Sequence, residues 1–570
     1  MKGQSRGGIA LFWIQTRRTG GCVKDLKPEQ HARYRKGRSA GLQKEVIGLS
    51  SRNAKALSKQ IERVLIAALI IIGVLVRLAA LDRFPGGVNQ DEAYSAYEAY
   101  CLLTDGMDSW GYRYPVYLTV WGSGQSALQS YLMAPFIALF GLELWVVRLP
   151  QAMGACLSLP VIYALLKRIQ GRRTALIGLA FLAICPWHIM MARWGLDCNF
   201  APGLLLMGLY FFVKGLDQPG YFIASGIAYG LSLYAYAAIW VVLPFMLLIH
   251  ALYLLYVGKL RISRSLVLGT LILGMMAAPL LLFLAVNWGM LEEVRLPFLS
   301  IPRMPLMRGS EVSFSQLYEN VYRMVKTFLL QRDDMVWNAS DEFGLYYHVS
   351  LPFMIAGGIE LLVRTFRSLR SRQFDGAVLI LVWLLLGAVQ GCMIDGNVNR
   401  LNFLHFPLIL CAVLGLDWMC RALRGRWKWL GAGVAAVYAV IFMLFIGFYF
   451  TGFQEKIDGW YDKGLDSALA YAQSCTDGDI RISSRISYPK ILFYGPVEPQ
   501  TFRETVVWRG EPSAFMSAQS VDRYRFGSWD AGSEVCVLVA DELGDELPEG
   551  TDVKVFDRIA VVCPADPAKN

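Results

Sequence analysis

Apolar runs close to the length that crosses a bilayer, about 17–25 residues, follow one another through this chain from Val64 to Phe450. In lipid the backbone has to satisfy its own N–H and C=O groups, so such runs can only be helices. With 55% hydrophobic and 18% charged residues, the chain has too little polar surface to cover itself as a water-soluble globule. The expected fold class is therefore an α-helical polytopic membrane protein.

Charge orients it. Met1–Arg63 carry fifteen Lys or Arg against four Asp or Glu, whereas the tail after Phe450 carries twelve against twenty. The positive-inside bias then places the N-terminus in the cytoplasm and the tail outside. The same distribution accounts for the net charge of +10 without nucleic acid as a partner. Runs at 64–81, 146–166, 175–191, 201–213, 221–237, 239–257, 266–286, 351–363, 377–394, 403–419 and 430–450 give about eleven spans. The short run 127–142 is read as a juxtamembrane or re-entrant helix, because a crossing there would put the basic loop Lys167–Arg173 outside.

The chain falls into three parts. Residues 1–63 read as a disordered basic cytoplasmic extension ahead of a first span that acts as an uncleaved anchor. Residues 64–450 form the membrane domain, with external loops 82–145 and 287–349, the second holding an amphipathic helix around Phe314–Leu330. Residues 451–570 read as a small extracytoplasmic α/β domain, with strands at 480–486, 491–494, 535–539, 553–556 and 559–562 and a helix at 464–474. Of eleven Cys, most sit in apolar stretches as small hydrophobes. Cys475, Cys536 and Cys563 lie in the tail, where two of the three can pair.

The chemistry-bearing residues gather in the external loops. Asp91 and Glu92 open the Tyr-, Trp- and Gly-rich stretch 89–125, just beyond the first span. Acids in a first helical turn also simply favour the helix dipole, but a membrane-edge carboxylate pair followed by so many aromatics reads as a site wall. Asp197, in the loop ARWGLDCN, lies on the same side. Two carboxylates at one mouth suit general-base work, one accepting a proton from an attacking hydroxyl. Arg113, Arg193 and Arg400 are external cations whose planar fork suits a phosphate, although Arg193 beside Asp197 equally suits a local ion pair. His405 lies just inside the tenth span, where a packed, hydrogen-bonded role competes with a catalytic one. Tyr94 and the loop aromatics, Trp121 among them, suit either an interfacial belt or stacking on a sugar ring.

The pieces DEAYSAY, PVYLTVWGSGQSALQSYLMAPFIALFG, VRLP, the LDCNF loop and NRLNFLHFP, in this order, resemble the GT-C glycosyltransferases of family 39, the protein O-mannosyltransferase and aminoarabinose-transferase type. The resemblance covers most of 82–450. It implies transfer of a sugar from a polyprenyl-phosphate donor to an acceptor hydroxyl of a protein, lipid or cell-envelope glycan, on the outer face of the cell membrane and with inversion. It also implies that Asp91 is the catalytic base, with Glu92 following it and Asp197 as the second external acid. No cofactor is required on this reading, and a divalent cation near the three acids is left open. The chain departs from the aminoarabinose transferases in having Tyr94 soon after the acidic pair, and Arg113-Tyr114 rather than Glu-Lys before the loop proline. Arg113 and Arg400 are the chemical substitutes as phosphate ligands. The rival from another class, a transporter or lipid-linked sugar flippase, would place ionisable groups near the midplane in paired halves, a pattern this sequence lacks.

Overall fold

A computed structural model describes residues 59–306, 316–423, 429–528, 534–543 and 551–564. The N-terminal extension, apart from 59–63, and Phe314 lie outside the described residues. The chain divides into two compact units, 1–68 and 69–570, and the second holds the loops, the later helices and the tail.

The protein is mostly helical, and eight described helices have the length and hydropathy to cross a membrane. Helix α1 is the helical stretch 59–78. It is followed by α2 (Gln90–Thr104) in the first loop, α3 (Leu128–Phe140), α4 (Leu144–Ile169), α5 (Arg172–Ile184), α6 (Pro186–Met191) and α7 (Phe200–Gly215). Next come α8 (Tyr221–Ala235), α9 (Ile239–Tyr256), α10 (Arg264–Asn287), α11 (Leu317–Val325), α12 (Leu351–Ser371), α13 (Gly376–Met393), α14 (Asn402–Ala422) and α15 (Leu430–Tyr449). Each of the eleven apolar runs expected to cross contains a helix, and the run set aside as juxtamembrane is α3, 13 residues long.

One run differs from expectation. Residues 175–191 do not make a continuous helix: Pro186 has no N–H to continue the ladder, so α5 stops at Ile184 and α6 restarts at Pro186. The carbonyls released at the break find donors. Arg77 donates to Leu182 O at 2.8 Å and Ala183 O at 3.1 Å, and Tyr347 Oη donates to Ile184 O at 2.7 Å. The end of α1 is closed reciprocally by Arg193, whose guanidinium donates to the carbonyls of Val76, Ala79, Ala80 and Phe84 at 2.7–3.1 Å. A cation at a helix C-terminus also complements the dipole. Helices α12 and α14 touch backbone to backbone, because a Cβ on Gly357 would lie 1.8 Å from Cys411 O and one on Gly415 1.9 Å from Phe353 O. Small residues permit this approach where lipid gives no hydrophobic drive between helices.

The tail holds α16 (Gly452–Tyr461), α17 (Leu465–Cys475), α18 (Tyr488–Tyr494) and α19 (Pro499–Thr505) around a seven-stranded mixed sheet. Its strands are β5 (Ile480–Ser483), β6 (Val507–Trp508), β7 (Ala518–Val521), β8 (Tyr524–Gly527), β9 (Val535–Val539), β10 (Asp552–Phe556) and β11 (Ile559–Cys563), in the order β10-β11-β9-β5-β8-β7-β6. The short pairs β1 (Tyr117–Leu118) with β2 (Gln125–Ser126), and β3 (Val294–Leu296) with β4 (Leu299–Ile301), stiffen the loops ahead of α3 and after α10. The stretch 491–494, expected as a strand, is helical, because Pro489 at the first turn after extended Ser487 starts a helix. Cys475 pairs with Cys563, and Cys536 is buried.

The tail shares one hydrophobic core with the first loop. Tyr94, Tyr97, Leu118, Val120 and Trp121 pack with Ile482, Tyr488, Ile491, Phe502 and Val537. The alanines of α2, Ala93, Ala96 and Ala99, pack instead with Met133, Val146 and Val147 of α3 and α4. Helix α2 is thus buried between membrane domain and tail, which fixes what its first turn presents.

Candidate active site

The site is built on the first turn of α2. Asn89 caps the helix, its Oδ1 accepting the Asp91 N–H at 3.0 Å, and the two acids sit where the dipole favours negative charge. Their surroundings then separate them. Glu92 is fully buried, accepting from Arg148 Nε at 2.9 Å and Nη2 at 3.0 Å, and from the Gly195 N–H at 2.7 Å. Arg148 fills its remaining donors with the carbonyls of Leu81, Pro85 and Gly87 at 2.7–2.8 Å. Glu92 is therefore the joint that ties α2, α4 and the Arg193–Asp197 loop together. Asp91, half-buried, accepts from Trp121 Nε1 at 3.1 Å.

Asp197 is held in the turn ahead of α7, accepting from the Cys198 N–H at 2.7 Å and the Ser126 N–H at 3.2 Å. It lies within electrostatic range of Asp91. One short segment, Trp121–Ser126, thus touches both carboxylates.

Trp121 is held unusually. Its φ of 59° is a left-handed conformation that a bulky residue adopts only when its surroundings enforce it. The tail supplies the hold: Met516 N–H donates to Trp121 O at 3.0 Å, and Ser123 Oγ donates to Ala514 O at 2.6 Å. The indole meets Tyr94, Tyr488 and Phe515 edge-on.

The loop before Trp121 folds around two further buried acids. Asp108 accepts the N–H groups of Trp110 at 3.0 Å and Tyr112 at 2.8 Å, and Thr119 Oγ1 at 3.3 Å. Glu98 accepts from Ser109 N–H at 2.9 Å and from Ser109 Oγ. Burial, and then the like charge of Asp108, push the Glu98 carboxyl up to about 8. Burial pushes Asp108 up to about 6, against the pull of its N–H donors.

A family model described as dolichyl-phosphate-mannose-protein mannosyltransferase matches residues 125–288, a stretch that contains Asp197 and begins after Asp91. The fold is similar to the crystal structure of ArnT from Cupriavidus metallidurans in the apo state, with 16% identity, 87% of this chain and 97% of that chain covered, and a TM-score of 0.52. Residues 125–288 thus match a glycosyltransferase family model, and the chain has an ArnT-like fold. Its similarity to ArnT bound to undecaprenyl phosphate has 16% identity, the same coverages and a TM-score of 0.49. With the Archaeoglobus fulgidus oligosaccharyltransferase tethered to an acceptor peptide it shares 14% identity, over 77% of this chain and 63% of that one, at a TM-score of 0.45. No curated protein matches the chain by sequence.

In this ArnT-like fold the structure brings Asp91, Asp197, Trp121 and Tyr94 together, and disperses the cations. Arg193 is fully buried with its guanidinium on the α1 carbonyls and the ring of Phe450, so it is a helix cap and not an exposed phosphate ligand. Arg113 is exposed in the strand-like bridge with Met107. Arg400 is half-buried, 3.5 Å from Asp395, in the loop where Asn402 Nδ2 donates to Cys198 O at 3.0 Å; that bond sets the loop beside Asp197. His405 has both ring nitrogens engaged, with Tyr346 Oη and with Val398 O, and stacks on Trp187 at 4.1 Å. It is a packed core residue. Tyr94 is fully buried under the loop, within 3.4 Å of Ser109 Oγ and Trp110 Nε1, so its ring is core and no open face meets a ligand.

Sequence reading misses Arg148, Glu98 and Asp108. Arg148 has a signal in VRLP, an Arg inside an apolar run, which demands a partner. The acids of the loop have none, because their role exists only once the loop closes. Among the described residues, no group of three or more His, Cys, Asp or Glu side chains is placed to hold a metal ion.

Proposed function

We propose that this enzyme transfers a sugar from a polyprenyl-phosphate donor to an acceptor hydroxyl at the outer face of the membrane, with Asp91 as the general base. The observation that carries the reading is the division of the acidic pair: Glu92 is locked into Arg148, while Asp91 accepts from Trp121 Nε1, and the segment Trp121–Ser126 touches both Asp91 and Asp197. The acceptor oxygen attacks the anomeric carbon, its proton passes to Asp91, and the bond from that carbon to the phosphate oxygen breaks, leaving polyprenyl phosphate and an inverted linkage. The leaving phosphate needs positive charge. Arg400 is the candidate, because its loop adjoins Asp197; Arg113 is a second cation on the first loop. A divalent cation between Asp91 and Asp197 would take its other ligands from water and donor phosphate. The undecaprenyl phosphate named for ArnT is a donor carrier of the class proposed here. The outward placing of the site and tail is supported by the charge asymmetry and by the Cys475–Cys563 disulfide, a bond that persists in oxidising compartments.

The test is transfer in membranes from a polyprenyl-phosphate sugar. Asp91→Asn keeps the shape and loses the base, so turnover is expected to fall by about 10²–10⁴ while the lipid donor still binds. Turnover within threefold of the parent would overturn the assignment.

A further inference from the structure

We propose that the tail carries the acceptor subsite, and that the group it recognises is a sugar bearing an anionic substituent, a carboxylate or a phosphate. This rests on the transferase reading above. A cavity of about 280 Å³ opens where the first loop meets the tail. Its floor includes Trp121 and Gln90, so Asp91 is next in the chain to one wall residue and hydrogen-bonded to another. Everything else in its lining comes from the tail.

The lining has the chemistry of an acidic saccharide site. Arg485 and Arg509 are its charged residues, and no carboxylate faces it among the described residues. Arg509 is exposed and donates through Nη2 to Phe526 O at 2.8 Å, a bond that occupies one arm of its fork. Arg485 is bound to Asp541, an exposed pair whose partner exchanges readily for another anion. Ser487 Oγ, at the same wall, is a buried hydroxyl with no hydrogen-bond partner among the described residues. Such a group calls for a ligand or water atom. Aromatic surface supplies the rest: Trp121 and Tyr488 below, and Phe515, 57% exposed, at the rim. Rings set against a polar pair fit a pyranose with one charged edge, and the volume suits one sugar residue.

The anionic group is a handle, separate from the attacking hydroxyl. Bound to the arginines above Trp121, it would place the ring between the tail and Asp91. That also gives the tail a role: it selects the acceptor and, through Met516 N–H on Trp121 O, holds the floor on which the acceptor rests.

The test is calorimetric titration of the full chain in detergent with glucuronate, glucose 6-phosphate and glucose. Both anionic sugars are expected to bind, glucose at least about tenfold more weakly, the discrimination that one charged hydrogen bond supplies. Arg509→Gln and Arg485→Gln each weaken the anionic sugars by about tenfold and leave glucose unchanged, and the two arms show whether carboxylate or phosphate is preferred. Asp91→Asn keeps the binding, which separates this proposal from the fate of the catalytic base. Equal affinity for glucose, parent-like affinity in both arginine variants, or no binding of any of the three sugars overturns it.

Discussion

At the residue scale, adjacent acids with the same side-chain chemistry hold different positions because their partners differ. Glu92 lies in a fully buried bidentate pair, so Glu92→Ala leaves Arg148 uncompensated and is expected to cost about 3–5 kcal/mol. The Glu92→Leu, Arg148→Met double variant should recover only part of that, since it removes the stranded charge but takes their partner from the Leu81, Pro85 and Gly87 carbonyls and the Gly195 N–H. Thermal unfolding in detergent reads both. If the single variant lies within about 1 kcal/mol of the parent, Glu92 is not the joint described. A second expectation concerns pH. The folded state holds the Glu98 proton more tightly than the unfolded chain does, so it binds more protons than the unfolded state between the usual carboxylate range and about 8. Stability contributed by Glu98 is therefore fullest at the acid side and declines as pH rises through that window. Glu98→Gln, permanently neutral, should flatten the decline in a series of unfolding temperatures from pH 5 to pH 9. An unchanged slope would mean that the carboxyl is already ionised at neutral pH. Asp91 is legible in the sequence from its place at a membrane edge before an aromatic loop; the roles of Glu98 and Asp108 are not, since both depend on main-chain N–H groups that a closed loop brings to them.

At the element scale, hydrophobic run length reports the helices well, because in lipid the backbone has no alternative partner. It fails where a side chain replaces the helix ladder. Pro186 divides one apolar run into α5 and α6, and the broken end is tolerated because Arg77 and Tyr347 donate to its carbonyls. Arg193 resembles a substrate ligand in sequence because an external Arg beside an Asp is indistinguishable there from an Arg turned inward. Its fork spans five carbonyls between Val76 and Phe84, a geometry that the compact ammonium of Lys cannot copy. Arg193→Lys should therefore destabilise the protein by about 1.5–3 kcal/mol and speed amide exchange selectively at residues 76–84. Uniform exchange rates, with parent-like stability, would show that α1 ends without its help.

At the scale of the whole molecule, the tail reads as a separate small domain from its change of composition, and the sequence pattern anticipates in large part its strands at 480–483, 535–539, 552–556 and 559–563. Its dependence on the first loop is not visible there, because the two are far apart in the chain: Tyr97 Oη donates to Val497 O across 400 residues at 2.8 Å. The spacing of Tyr94, Tyr97 and Tyr100 signals a helix with an aromatic face and leaves its partner unnamed. That partner is the tail core, joined further by Trp110 stacked on Trp508 at 4.9 Å. Neither piece can bury its apolar face alone. A chain ending at 450 is expected to insert in membranes and lose transfer, although it retains Asp91 and Asp197, because Trp121 loses the Met516 N–H and the tyrosine face of α2 loses its packing against the tail. Co-expressing 451–570 as a separate chain should restore part of the activity, whereas the same fragment carrying Trp508→Ala should restore less, since the stacking and half-buried area it loses are worth about 1–3 kcal/mol. The measurement is transfer in membranes containing each combination at equal protein level. Full activity of the truncated chain would sever the link from tail to Trp121 to Asp91, and with it the account of why this membrane protein carries a mixed-sheet domain locked onto its first loop.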